Sequence, residues 1–215
     1  MVRQKGTAIL LLLFWLSPGL SWELDQKTRK LDQNHLRLEL FFDLEKRQVV
    51  GMAHLKFTLI QPTQTIHLHG NDLSPYAVKD RKARDLPYQY DGKILTIYLS
   101  QRILPQGWKG EVTIHYSATP KRGLYFFKPS PKAPNIPYQV WSQGEGTDNR
   151  HWFPCYDEPD DRLTSELVAY APAGFSVISN GVLLEKKAVA LSEIKKNSGS
   201  SRDGIFCRSA PMSPI

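Results

Sequence analysis

From His35 the chain alternates. Leu36, Leu38, Leu40, Phe42 and Leu44 are apolar, with Arg37, Glu39 and Asp43 among the residues between them, the period of two that a half-buried strand requires. A polar EKRQ turn follows, and Val50, Met52, Leu55, Phe57 and Leu59 predict a returning strand. Its alternation slips by one near Ala53, which predicts a β-bulge there. Pro62 ends that strand, and TIHLHG predicts a third, closed by Gly70, Asn71 and Asp72. The string YQYDGKILTIYL predicts a hairpin turning at Asp91-Gly92, and EVTIHYSA one more strand. Short strands between regular turn signals, with no ten-residue stretch of helical periodicity, predict an all-β fold: an antiparallel β-sandwich or saddle-shaped sheet.

The second half is less regular. KPSPKAPNIP, residues 128–137, holds four prolines and predicts an extended loop. SELVAYAPAGFSVISNG predicts two strands broken at Pro172 and Gly174 and closed by Asn180-Gly181. After Lys187 the polar KKNSGSSRDG and the aperiodic FCRSAPMSPI predict a disordered tail over residues 188–215.

The other end carries a different signal. MVRQKG is basic, AILLLLFWL is a short apolar run, and SPGLS offers small residues at Gly19 and Ser21. This predicts a secretory signal over residues 1–21 and an exported protein. Nine apolar residues are too few to cross ~30 Å of hydrocarbon. The alternative is an uncleaved, membrane-retained form with Trp15 and Trp22 at the interface. The organisation expected is therefore a signal at 1–21, a β-domain at 22–187 and a divergent tail.

Composition narrows the function classes. A chain of 215 residues, 41% hydrophobic and 23% charged, is ordinary for a globular domain. The net charge of +7 suggests nucleic acid until it is located. Each terminal segment carries a surplus of two, which leaves +3 for residues 22–187, without a basic stripe. A nucleic-acid partner is not expected. Cys155 and Cys207 lie far apart in sequence, and a buried free thiol at Cys155 is the better reading than a disulfide.

The candidate chemistry sits in QGEGTDNRHWFPCYDEPDD, residues 143–161. Glu145 stands between Gly144 and Gly146, with Gln143 just before. A carboxylate in a partly desolvated cleft can hold an ammonium group through a charge-assisted hydrogen bond, and flanking glycines allow close backbone approach. Taken alone, Glu145 is also readable as an ordinary loop acid. Asp157, Glu158, Asp160 and Asp161 could be drawn as a calcium cluster. Turn chemistry favours a structural role, with Arg150 and Arg162 as charge partners. Trp152, Phe153 and Tyr156 read as core or junction. His67 and His69 share one strand face, but two histidines do not make a metal site.

Several blocks in order, GLYFFKP, the proline-rich loop, QVWSQGEGTDNRHWFPCYDEPDDRLTSEL and PAGFSVISNG, resemble the N-terminal β-domain of the M1 (gluzincin) family of zinc aminopeptidases. The resemblance runs from about Leu36 to Lys187 and departs thereafter. It implies a domain that caps a thermolysin-like catalytic domain and reaches into its active site with one loop. In that arrangement Gln143 lines the pocket for the substrate's first side chain and Glu145 helps hold the peptide's α-amino group. The family's zinc motif H-E-x-x-H and its G-x-M-E-N motif do not occur here. None of His35, His54, His67, His69, His115 and His151 is followed by Glu. No cofactor is therefore expected in this chain, with zinc expected only in a full-length enzyme. The chain alone is expected to be an inactive, truncated product. Its implied partners are a peptide N-terminus and a missing catalytic domain. A second reading is a stand-alone, non-catalytic β-sandwich interaction module.

Overall fold

Strand β1 (Leu31–Asp43) sets the inner face of the molecule. Leu31 and Gln33 point inward, then Leu36, Leu38 and Leu40, because the pairing register shifts between Gln33 and His35. One extra residue in a strand moves every later side chain to the opposite face. The computed structural model describes residues 29–189 and 204–209, with side chains of the latter segment from Phe206 onward.

The remaining strands are β2 (Gln48–Leu59), β3 (Thr65–His69), β4 (Leu73–Asp80), β5 (Tyr88–Tyr90), β6 (Ile94–Tyr98), β7 (Lys109–Ala118), β8 (Leu124–Phe127), β9 (Gln139–Ser142), β10 (Thr164–Pro172), β11 (Leu183–Val189) and β12 (Gly204–Ser209). The described helical structure is a single 3-10 turn, Asn149–His151. A seven-stranded sheet runs β11-β12-β10-β1-β2-β7-β4, a three-stranded sheet β3-β6-β5, and β8 and β9 form a separate ribbon. The two larger sheets share one apolar core. Leu36, Leu38, Leu55, Phe57, Ile114 and Tyr116 from the first join Ile66, Leu68, Leu95 and Ile97 from the second. Facing sheets that each bury alternate residues are the physical content of a β-sandwich.

The all-β expectation holds, with one addition: β1 and β10 pair in parallel, so the large sheet is mixed. The predicted bulge near Ala53 is absent. Residues 49, 51, 53, 55, 57 and 59 of β2 all face inward, and its register with β7 is unbroken. The apparent slip arises because Val50 and Met52, on the other face, pack beside Phe41, Tyr170, Phe206 and Val189 in a second apolar cluster. Both faces of that end of the sheet are covered, so polar alternation disappears.

Five strands, β4, β8, β9, β11 and β12, escaped the sequence. β4 contains Pro75, which an edge strand tolerates because its outward N–H has no ladder partner to lose. The ribbon β8–β9 encloses the proline-rich loop, and the loop's two ends pair Phe127 with Gln139. β12 corrects the expected disorder at its position, since residues 204–209 pair with both β10 and β11. Its buried residues are Cys207 and Ser209, small side chains that give no hydrophobic signal. Ser209 Oγ accepts the Leu167 N–H at 3.2 Å. In the opposite direction, Phe175 to Ser179 form no strand, leaving Thr164–Pro172 as the one element in that stretch. Cys155 and Cys207 are both buried free thiols. Residues 1–28, which include the expected signal at 1–21, and residues 190–203 and 210–215 lie outside the described residues.

Candidate functional site

The loop after β9 is held at both ends. The N–H of Gln143 donates to the Gly123 carbonyl at 2.9 Å, adding one rung to the β8–β9 ladder. Gly123 has φ +77, and a Cβ there would stand 2.1 Å from the Asp148 carbonyl oxygen, so no other residue fits without moving backbone. Arg122 pairs with Asp148 at 3.1 Å. At Gly144 a Cβ would meet the Asn149 side chain at 2.2 Å. The two glycines beside Glu145 thus serve different ends. Gly144 admits a neighbour within the fold, whereas Gly146, at φ +65 with nothing within 4 Å, supplies only a left-handed turn.

Gln143 and Glu145 are brought together. Both are exposed, and the Gln143 Nε2 donates to Glu145 Oε2 at 3.3 Å. The structure leaves this carboxylate–amide pair at a solvent-facing rim. On the other face of the same loop, Ser142, Gly144 and Gly146 border a groove of about 560 Å³ whose floor includes Leu36, Leu38 and Phe153.

The segment from Trp152 to Asp161 is tied into the fold by many contacts and also borders that groove. Trp152, Phe153 and Cys155 belong to the core. Cys155 and His69 exchange main-chain hydrogen bonds at 3.1 and 2.7 Å, and the Asp157 N–H donates to His69 Nδ1 at 3.0 Å. Asp157 accepts the Arg150 N–H at 2.9 Å, and Arg150 Nη2 reaches Glu158 at 2.8 Å. Arg29, rather than the expected Arg162, pairs with Asp160 at 3.7 Å and with Asp161. Gln33 completes the strap. Its Nε2 donates to the Tyr156 carbonyl at 2.8 Å and its Oε1 accepts the Tyr156 N–H at 2.9 Å. Burial pushes the Asp161 carboxyl up despite hydrogen bonds from Gln33 and the nearby Arg29 charge. The Tyr156 hydroxyl is pushed up to about 12, first by burial and then by the Asp160 charge. Burial likewise holds the Cys155 thiol well above its ordinary range.

These donors do not fit a zinc ion. His67 Nδ1 lies 3.0 Å from Thr96 Oγ1, His69 Nδ1 is spent on Asp157, and Glu158 is paired with Arg150. Among the described residues no three His, Cys, Asp or Glu side chains are grouped to hold a metal. Sequence reasoning named Gln143 and Glu145 as candidates but did not single out Gly123 and Asn149, the residues that shape their loop. The GLYF string marked Gly123 without revealing that Asp148 would lie against it.

Fold and sequence comparisons converge. The M1 zinc metallopeptidase of Deinococcus radiodurans superposes with a TM-score of 0.68 at 18% identity, covering 87% of this chain and 40% of that one. A mutant of that enzyme bound to a Tyr-Ser-Ala substrate gives 0.67 at 19% identity, with the same coverage. Aminopeptidase RNPEPL1 of Mus musculus is 28% identical over 92 residues, which is 43% of this chain and 13% of the relative. The chain thus spans well under half the length of these relatives. The profile of the Peptidase M1 N-terminal domain matches residues 32–198, running past Lys187, where the resemblance had been read to end. With that match spanning most of its length, the chain belongs to the Peptidase M1 N-terminal domain family.

Proposed function

We propose that this domain caps the active site of a zinc aminopeptidase and contributes the Gln143–Glu145 pair to recognition of a peptide's free N-terminus. The observation that carries this reading is the loop itself. Gly123, which no side chain replaces without moving backbone, and a ladder hydrogen bond hold it in place, yet the carboxylate it presents is exposed. Glu145 accepts the substrate ammonium, and the neighbouring Gln143 amide orients that carboxylate and faces the first side chain. In such an enzyme a zinc ion would supply the activated water for peptide hydrolysis, and on this reading its ligands would come from a partner catalytic domain. The exposed aliphatic side chains Ile178, Val182, Leu183 and Leu184 support a domain that acts with a covering partner rather than as an independent module.

Two measurements test the reading. The purified chain, supplied with zinc, should not release the fluorophore from aminoacyl-coumarin substrates, and zinc-dependent turnover would refute the division of labour. In a polypeptide joining this domain to an M1 zinc domain, Glu145→Gln should lower kcat/KM by roughly 10–100-fold, the worth of a hydrogen bond to a charged group. An unchanged kcat/KM would remove Glu145 from substrate recognition.

A further inference from the structure

The β8–β9 ribbon has two unlike faces. Leu124, Phe126 and Val140 pack on the core. Tyr125, Phe127 and Trp141 occupy the other face, with Trp141 43% and Phe127 37% exposed. These three rings form one continuous strip. Tyr125 and Trp141 are directly opposite in the ladder, with centroids 4.7 Å apart. Trp141 and Phe127 lie nearly parallel, at 4° and 5.8 Å. Aromatic side chains of this size are normally covered.

The strip leads to the candidate site. Gln143 continues the ladder opposite Gly123, so by the alternation of a strand it stands on the same face as Trp141, one repeat of about 7 Å further along. Glu145 is hydrogen-bonded to Gln143. One face therefore presents a carboxylate, then an amide, then three aromatic rings. An α-ammonium group beside an apolar side chain has the complementary order of charge and apolar surface.

We infer that Tyr125, Phe127 and Trp141 form a specificity surface for the first side chain of the bound peptide, selecting bulky apolar or aromatic N-terminal residues. This rests on the proposed role of Glu145 and adds the substrate class. Apolar area is what the strip can recognise. Replacing an N-terminal Phe by Ala should therefore weaken binding about tenfold, as expected for partial burial of an aromatic ring.

The test uses the full 215-residue chain and three tetrapeptide amides: Phe-Ala-Ala-Ala, Ala-Ala-Ala-Ala and N-acetyl-Phe-Ala-Ala-Ala. Binding is followed by the Trp141 indole Nε1–H resonance, assigned by its loss in Trp141→Phe, and by calorimetry. The expected result is a Trp141 shift with the Phe-led free amine and about tenfold weaker binding of the Ala-led peptide. Trp141→Ala should abolish the preference for Phe while keeping the preference for a free amine. Glu145→Gln should do the reverse. Because Trp141 is half exposed, both variants should melt with the parent, and Trp141→Leu serves if Ala does not. An amine preference without a Phe preference overturns the specificity strip and leaves the proposed function standing. A Phe preference without an amine preference overturns the role of Glu145 instead. Absence of any peptide binding, or self-association that Trp141→Ala removes, overturns the strip as a peptide surface.

Discussion

Replacing Gln33 by Leu should detach the segment around Tyr156 from β1. Gln33 is fully buried, and its amide satisfies both main-chain polar groups of Tyr156, at 2.8 and 2.9 Å. It also donates to Asp161 Oδ2 at 3.1 Å, beside a second bond from its own N–H. Leucine has nearly the same volume, so packing is little disturbed. The cost is an orphaned N–H and an orphaned carbonyl. Each buried group left without a partner costs about 1–3 kcal/mol, so the variant should lose roughly 3 kcal/mol after partial rehydration of the strap. With a urea m-value of about 2 kcal/mol/M, the unfolding midpoint should fall by about 1.5 M. Amide exchange at Tyr156 should accelerate ahead of global unfolding, because the strap can open without the sheet. A midpoint shift below about 0.3 M, or unchanged Tyr156 exchange, would refute the claim that this amide holds the segment.

Three other outcomes can be checked on the same material. Gly123→Ala adds backbone collision with Asp148 to a left-handed φ, whereas Gly92→Ala at φ +95 meets nothing within 4 Å. The first should cost several times the ~1 kcal/mol expected of the second in urea titrations, and equal losses would contradict the Asp148 contact. Burial is the leading cause of the lowered pKa of His35, His54 and His115. A base that protonates more readily unfolded gives stability that is complete above its unfolded pKa of about 6.5 and lost as pH falls through and below it. Unfolding midpoints should therefore decline between about pH 7 and 5, and His54→Gln should flatten the decline. Asp161, whose carboxyl is raised, acts oppositely, but only in the carboxylate range. Finally, both thiols are buried and that of Cys155 is held protonated. Ellman's reagent should therefore label neither until the chain unfolds, and rapid native labelling of Cys155 would place it outside the core.

Much of the fold is written in local pattern. Strict alternation specifies β1 and β7, and Asp91-Gly92 turns β5 into β6 because Asp91 Oδ1 accepts two main-chain N–H groups, at 2.8 and 2.7 Å. That Gln143 and Glu145 share one loop was also legible, since they are two residues apart, but their hydrogen bond was not. What the sequence left dark depends on partners distant in the chain. The bulge at Gln33 and His35 is set by pairing with β2, and β12 takes its identity from β10. Val50 and Met52 mislead because a second cluster covers a face that alternation assumes to be wet. Asp157 and Glu158 find their charge partner locally in Arg150, yet the partners of Asp160 and Asp161, Arg29 and Gln33, lie more than a hundred residues earlier. Local residue order determines which way a strand's side chains alternate. Only tertiary packing decides which strand lies beside it and which buried polar group finds its complement, because those free energies exist only between segments brought together in space.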